Sequence, residues 1–138
     1  MTENQIFEFE NVQTASPKIA EAYVYLKQME TASEVSSRDD LDSLKTKAGA
    51  VAGLVARIKA CLCDHLGLDY AEQAAEGTPA ASVFSVLSDI SDKVFLSDTP
   101  SLISAEELGE RLRSADVLSS RLPFMIAGLD AGEELSEN

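Results

Sequence analysis

The sequence predicts an all-α fold: a single-domain bundle of four main helices with one long central helix, an extended N-terminal arm and a short acidic C-terminal tail. Three observations carry that expectation. Apolar residues recur at three- and four-residue steps through most of the chain, the period of a helix with one buried face. Three of the four prolines directly follow a Ser or Thr, the pair that caps a helix and fills its first position. No linker or repeat of roughly 20 to 50 residues divides the chain. With 138 residues, 45% of them apolar, the chain is long enough to bury one core without metals or disulfides.

Residues 1–15 hold Ile6, Phe7, Phe9 and Val12 between Glu8 and Glu10, and are expected to form an arm packed on the body. The bundle domain spans 16–129. Ser16 and Pro17 start the first helix, in which Ile19, Ala22, Tyr23, Leu26 and Met29 form one face that ends near Ser33. Ser36 and Ser37 then precede Asp39, Asp40 and Asp42, acids that complement the dipole of a helix's first turn.

The strongest periodicity runs from Arg38 to Leu66. Leu41, Leu44, Ala48, Val51, Val55, Ile58, Leu62 and His65 alternate three- and four-residue steps, which predicts a helix about 43 Å long. Gly67 is its expected stop. Gly49, Gly53, Ala56 and Ala60 share the opposite side, so the middle of this helix is expected to be buried on two faces. Its small residues also suit the seam of a homodimer.

Asp69 and Glu72 predict a short capped turn that Gly77 ends. Thr78 and Pro79 open a third helix, traced by Val83, Leu87, Ile90 and Val94 to about Ser97. Thr99 and Pro100 repeat the signal, and Ser104 with Glu107 forms a capping box ahead of Leu108, Leu112, Ala115, Leu118 and Leu122. Pro123 is expected to end or kink that fourth helix. Phe124, Met125, Ile126 and Leu129 follow as an apolar patch, and residues 130–138 as a frayed acidic tail.

Composition narrows the chemistry. Eleven basic residues against 24 acidic ones give a net charge of −13, which disfavours direct contact with nucleic acid or an anionic membrane. The longest apolar window, Ala48 to Ala56, is far too short to span a bilayer. Three acids precede the first base, an N-terminus unlike a secretory signal, and two cysteines form no disulfide framework, so a cytoplasmic setting is expected.

Cys61, Cys63, Asp64 and His65 form the one dense cluster of metal-ligand types, but no second cysteine pair or histidine completes a tetrahedral shell. A Cys61/His65 nucleophile and base pair lies at i,i+4 without an orienting group beside it. The single histidine is incompatible with a di-iron bundle, and no phosphate-loop, dinucleotide or nucleophile-elbow motif is present. No metal, cofactor or catalytic residue is therefore predicted.

Charge is unevenly spread. Lys18 to Lys59 carries seven bases and six acids, whereas Ala60 to Glu110 has Lys93 as its one base and a net of −9. Acids in that region can steer a basic partner, and Asp89, Asp92, Asp98, Glu106, Glu107 and Glu110 are the candidate partner-binding residues. The leading expectation is a non-enzymatic acidic helical protein, of bacterial type, that binds a basic protein partner. Its size, acidity and helicity match the class of immunity proteins, antitoxins and small secretion chaperones, by analogy of class alone. The alternatives are a structural or regulatory homodimer with the long helix as interface, and a small enzyme using Cys61 and His65.

Overall fold

A computed structural model describes residues 14, 16–95 and 103–136, with side chains described to 129. Five α-helices follow in order: α1 Pro17–Ala32, α2 Leu41–Leu66, α3 Pro79–Val94, α4 Ala105–Ser119 and α5 Leu122–Ser136. A 3-10 turn, Ala71–Gln73, lies between α2 and α3. No strand occurs among the described residues, so the fold is an all-α bundle. The expected N-terminal arm, Asp98 and the Thr99-Pro100 pair lie outside the described residues.

Local side-chain chemistry sets the helix starts. Ser16 Oγ accepts the Ile19 N–H, Thr78 Oγ1 accepts that of Ala81, and Ser104 Oγ accepts that of Glu107. Each hydroxyl satisfies one of the donors that a helix N-terminus leaves unpaired. At α2 the expected cap is displaced. Asp40 is the N-cap, its Oδ1 accepting the Ser43 N–H at 2.8 Å, and the helix begins at Leu41 rather than near Arg38. Asp39 is not a first-turn acid. Its carboxylate accepts the Ser36 N–H and the Ser43 hydroxyl and pairs with Lys47 at 2.8 Å, closing the loop between α1 and α2. Gly67 ends α2 in the left-handed region at φ 73°, as its position predicts.

The core is one cluster fed by all five helices. Ile19, Met29, Ile58, Leu62, Leu87, Ile90, Leu108, Leu112, Leu122 and Ile126 are fully buried within it. Burying each such side chain contributes about 1.5–3 kcal/mol. α1 packs along α2, and α3 along α4; α2 also meets α3 and α4, and α5 lies against α3 and α1. α1 and α2 run antiparallel, since Ser16 before α1 touches His65 in the last turn of α2. Every buried side-chain nitrogen and oxygen among the described residues has a hydrogen-bond partner.

Two expectations about packing need correction. The apolar patch after Pro123 is a fifth helix: Pro123 is the second residue of α5, where the missing N–H has no intrahelical acceptor to lose. Backbone helix continues to Ser136, through most of the expected tail. The small-residue side of α2 is also not buried among the described residues. Gly49, Gly53, Ala56 and Ala60 are exposed, and a Cβ built on either glycine would meet nothing within 4 Å. Among the described residues α1, α3 and α4 pack on α2, whose buried residues Leu44, Ala48, Val51, Val55, Ile58 and Leu62 lie on its large-residue side.

Candidate partner-binding surface

The helical period and the α3–α4 contact decide where the candidate acids stand. On α3, Val83, Phe84, Leu87, Ile90 and Val94 turn inward, which sends Asp89 and Asp92 outward, and both are exposed. On α4, Leu108, Gly109, Leu112, Ala115 and Ser119 turn inward, so Glu106, Glu107 and Glu110 are exposed. Asp89, Asp92 and Lys93 of α3 line a shallow cleft of about 470 Å³ together with Arg111 and Leu118 of α4. Arg111 also pairs with Glu107 at 3.8 Å, one helical turn earlier.

The structure thus joins Asp89, Asp92 and, through Arg111, Glu107. Glu106 and Glu110 lie one turn apart on the outer side of α4 and line none of the described clefts; Asp98 is outside the described residues. The cleft is not the nearly pure anionic surface that linear partition implies. Lys93 and Arg111 stand among the carboxylates, because packing α4 on α3 brings a base from beyond residue 110 back beside residues 89–92. Arg111, Lys93 and Leu118 were invisible as site residues in a charge tally. An Arg five residues before Asp116 marks only a helix face until its neighbour is known.

The Cys61/His65 end is built differently from a nucleophile site. His65 Nδ1 lies 2.9 Å from Ser16 Oγ, so the imidazole serves the start of α1. Cys61 and Cys63 are both buried. Burial pushes the Cys61 thiol up, and the Glu21 carboxylate pushes it further; burial likewise raises Cys63, followed by Asp64. Both sulfurs are therefore held in the weakly nucleophilic thiol form at neutral pH. Among the described residues no group of three or more His, Cys, Asp and Glu side chains is arranged to hold a metal ion, and no helix is long and apolar enough to cross a membrane.

Two further concavities were not anticipated. One, of about 570 Å³, lies between the α1–α2 loop and α4 and is lined by Ser33, Glu34, Val35, Ser36, Lys47, Arg113 and Asp116. The other, of about 310 Å³, runs along the open side of α2 against residues 68–72. The Gly49 to Ala60 spacing marked that side of the helix, but spacing does not say what stands opposite. Comparison of the chain with family models, with curated proteins and with solved structures finds no match in any of the three.

Proposed function

We propose that this chain is a non-enzymatic binding protein whose acidic α3–α4 face engages a basic surface of a protein partner, in the manner of immunity proteins, antitoxins or small secretion chaperones. The observation that carries this is the cleft shared by Asp89, Asp92, Lys93, Arg111 and Leu118, where carboxylates from one helix meet a base and an apolar side chain from the next. Such a mixture suits protein recognition. Carboxylates accelerate encounter with a basic partner, Leu118 supplies apolar area, and the two bases, Lys93 and Arg111, set register against wrong partners. The charge argues against phosphate as the ligand, since a net of −13 repels polyanions at long range.

Affinity capture from the native host, at low and at moderate salt, tests the proposal. The chain with Asp89→Asn, Asp92→Asn and Glu107→Gln should lose a basic protein that the unaltered chain retains at low salt. An identical set of captured proteins from both chains would refute the α3–α4 face as the binding surface.

A further inference from the structure

The cavity between the α1–α2 loop and α4 is lined by two opposite charges from one turn of α4, Arg113 and Asp116, that do not pair with each other. Residues three apart on a helix are neighbours, so the separation has a cause. Arg113 leans toward the N-terminus of α4, the usual direction of a helical side chain, and its Nη1 lies 3.8 Å from where a Cβ on Gly109 would stand. Asp116 is held toward α1 instead, where the buried Ser33 hydroxyl donates to its Oδ1 at 3.0 Å. Among the described residues no carboxylate pairs with Arg113, and no donor reaches Asp116 Oδ2. Lys47 is already committed: its ammonium donates to the Glu34 carbonyl and pairs with Asp39 at 2.8 Å. The Glu34 side chain adds an exposed carboxylate with no ion pair among the described residues.

We propose that this cavity binds a basic α-amino acid, its α-carboxylate on Arg113, its α-ammonium on Asp116 and its side-chain cation on Glu34. Charge selects this class of ligand. With Lys47 neutralised by Asp39, the cavity presents one guanidinium against two carboxylates, the complement of a diamino acid with one carboxylate and two cations. A simple anion would answer Arg113 but set its charge beside Asp116 and Glu34; a simple cation would leave Arg113 unanswered. The planar guanidinium suits a carboxylate, which it grips through two parallel hydrogen bonds. Val35 lines the same space and offers apolar area to the methylene stem between the two ends of the ligand. The volume of about 570 Å³ falls within the roughly 300–1,000 Å³ of small-molecule sites. The site lies apart from the α3–α4 cleft and does not rest on the reading of that face.

The test titrates the full chain, ¹⁵N-labelled, with L-lysine and follows the backbone amides. Val35, Ser36, Arg113 and Asp116 should shift in a saturable way by about 10 mM ligand. Lysine amide, Nα-acetyl-lysine and norleucine each lack one of the three charges, and each should bind at least tenfold more weakly. Arg113→Gln is an exposed substitution, checked for folding by circular dichroism. It should bring lysine down to the affinity that lysine amide has for the unaltered chain, whereas a general loss of structure would abolish binding of both. The Asp89→Asn, Asp92→Asn, Glu107→Gln chain should bind lysine as the unaltered chain does. No saturable shift, or shifts confined to other faces, would overturn the assignment whatever the fate of the α3–α4 reading. Norleucine binding as tightly as lysine would overturn the choice of a basic side chain. Inorganic phosphate shifting the same amides with equal affinity would reduce the site to an anion contact at Arg113 and overturn the proposal.

Discussion

Ser16 Oγ sits 2.9 Å from His65 Nδ1 while accepting the Ile19 N–H at 3.2 Å, so one hydroxyl caps α1 and ties it to the last turn of α2. Ser16→Ala removes both functions and should cost about 1–2 kcal/mol, the upper part of the range for losing a cap. His65→Ala removes the link but keeps the cap, and its loss should be smaller. Urea denaturation of the two variants measures the difference. Equal losses would show that the cap contributes nothing beyond its bond to the imidazole.

The loop between α1 and α2 should make the protein acid-sensitive. Lys47 holds the Asp39 carboxyl well below the usual carboxylate range, assisted by the Ser43 hydroxyl and the Ser36 N–H. A folded-state value below the unfolded one means that the unfolded chain binds the extra proton. The contribution is therefore fully present at neutral pH, starts to fade as pH falls to about 5, and is lost as pH drops through the depressed folded value. Asp39→Asn should lower stability at pH 7 and flatten its dependence below pH 5. A variant whose stability falls as steeply as the unaltered chain's between pH 5 and pH 3 would locate the acid sensitivity elsewhere.

The glycines within α2 and the one that ends it should respond in opposite directions. Gly49 and Gly53 are exposed inside α2 with open space where a Cβ would stand, so Ala at each should stabilise the isolated protein by about 0.5–1 kcal/mol. Gly67 has equally open surroundings but φ 73°, and Ala there should cost about 1–2 kcal/mol. Thermal melts of the three single variants check the signs. Destabilisation by Gly53→Ala would mean that α2 is covered in solution.

The helix starts were legible because capping is a local event. Ser16, Thr78 and Ser104 act on N–H groups three residues ahead, and the chain order alone shows those neighbours. The large stripe of α2 was legible for the same reason: Leu44, Ala48, Val51, Val55, Ile58 and Leu62 are all buried at their predicted steps. What failed depended on distant partners or on competing local bonds. Asp39 and Asp40 are chemically alike, and only the position of Lys47 across the loop assigns one to the ion pair and the other to the cap. Pro123 fits either the end of one helix or the first turn of the next, and burial of Leu122, Ile126 and Leu129 decides for the latter. At the candidate site, Asp89 and Asp92 are exposed on α3. Their neighbours Arg111 and Leu118 emerge only once α4 lies against α3.

The far end of α1 is tied by a second hydroxyl, and the strength of that tie can be measured directly. Ser33 is 1% exposed, and its Oγ lies 3.0 Å from Asp116 Oδ1 and 3.3 Å from the Glu30 carbonyl. The hydroxyl has one proton to give, and the nearer, charged oxygen is the stronger acceptor. That bond joins the C-terminus of α1 to α4, two helices with few other contacts, so its loss is not readily compensated by neighbouring packing. Asp116 is half-buried, which lets water rehydrate it when the donor is removed and moderates the cost. Ser33→Ala should therefore destabilise by about 1–2 kcal/mol, below the top of the range for hydrogen bonds to charged groups. Asp116→Asn retains an acceptor oxygen and should cost less than Asp116→Ala. In a double-mutant cycle, Ser33→Ala and Asp116→Ala should show a coupling of about 1 kcal/mol, whereas additive losses would mean that the two side chains are neighbours without an energetic link.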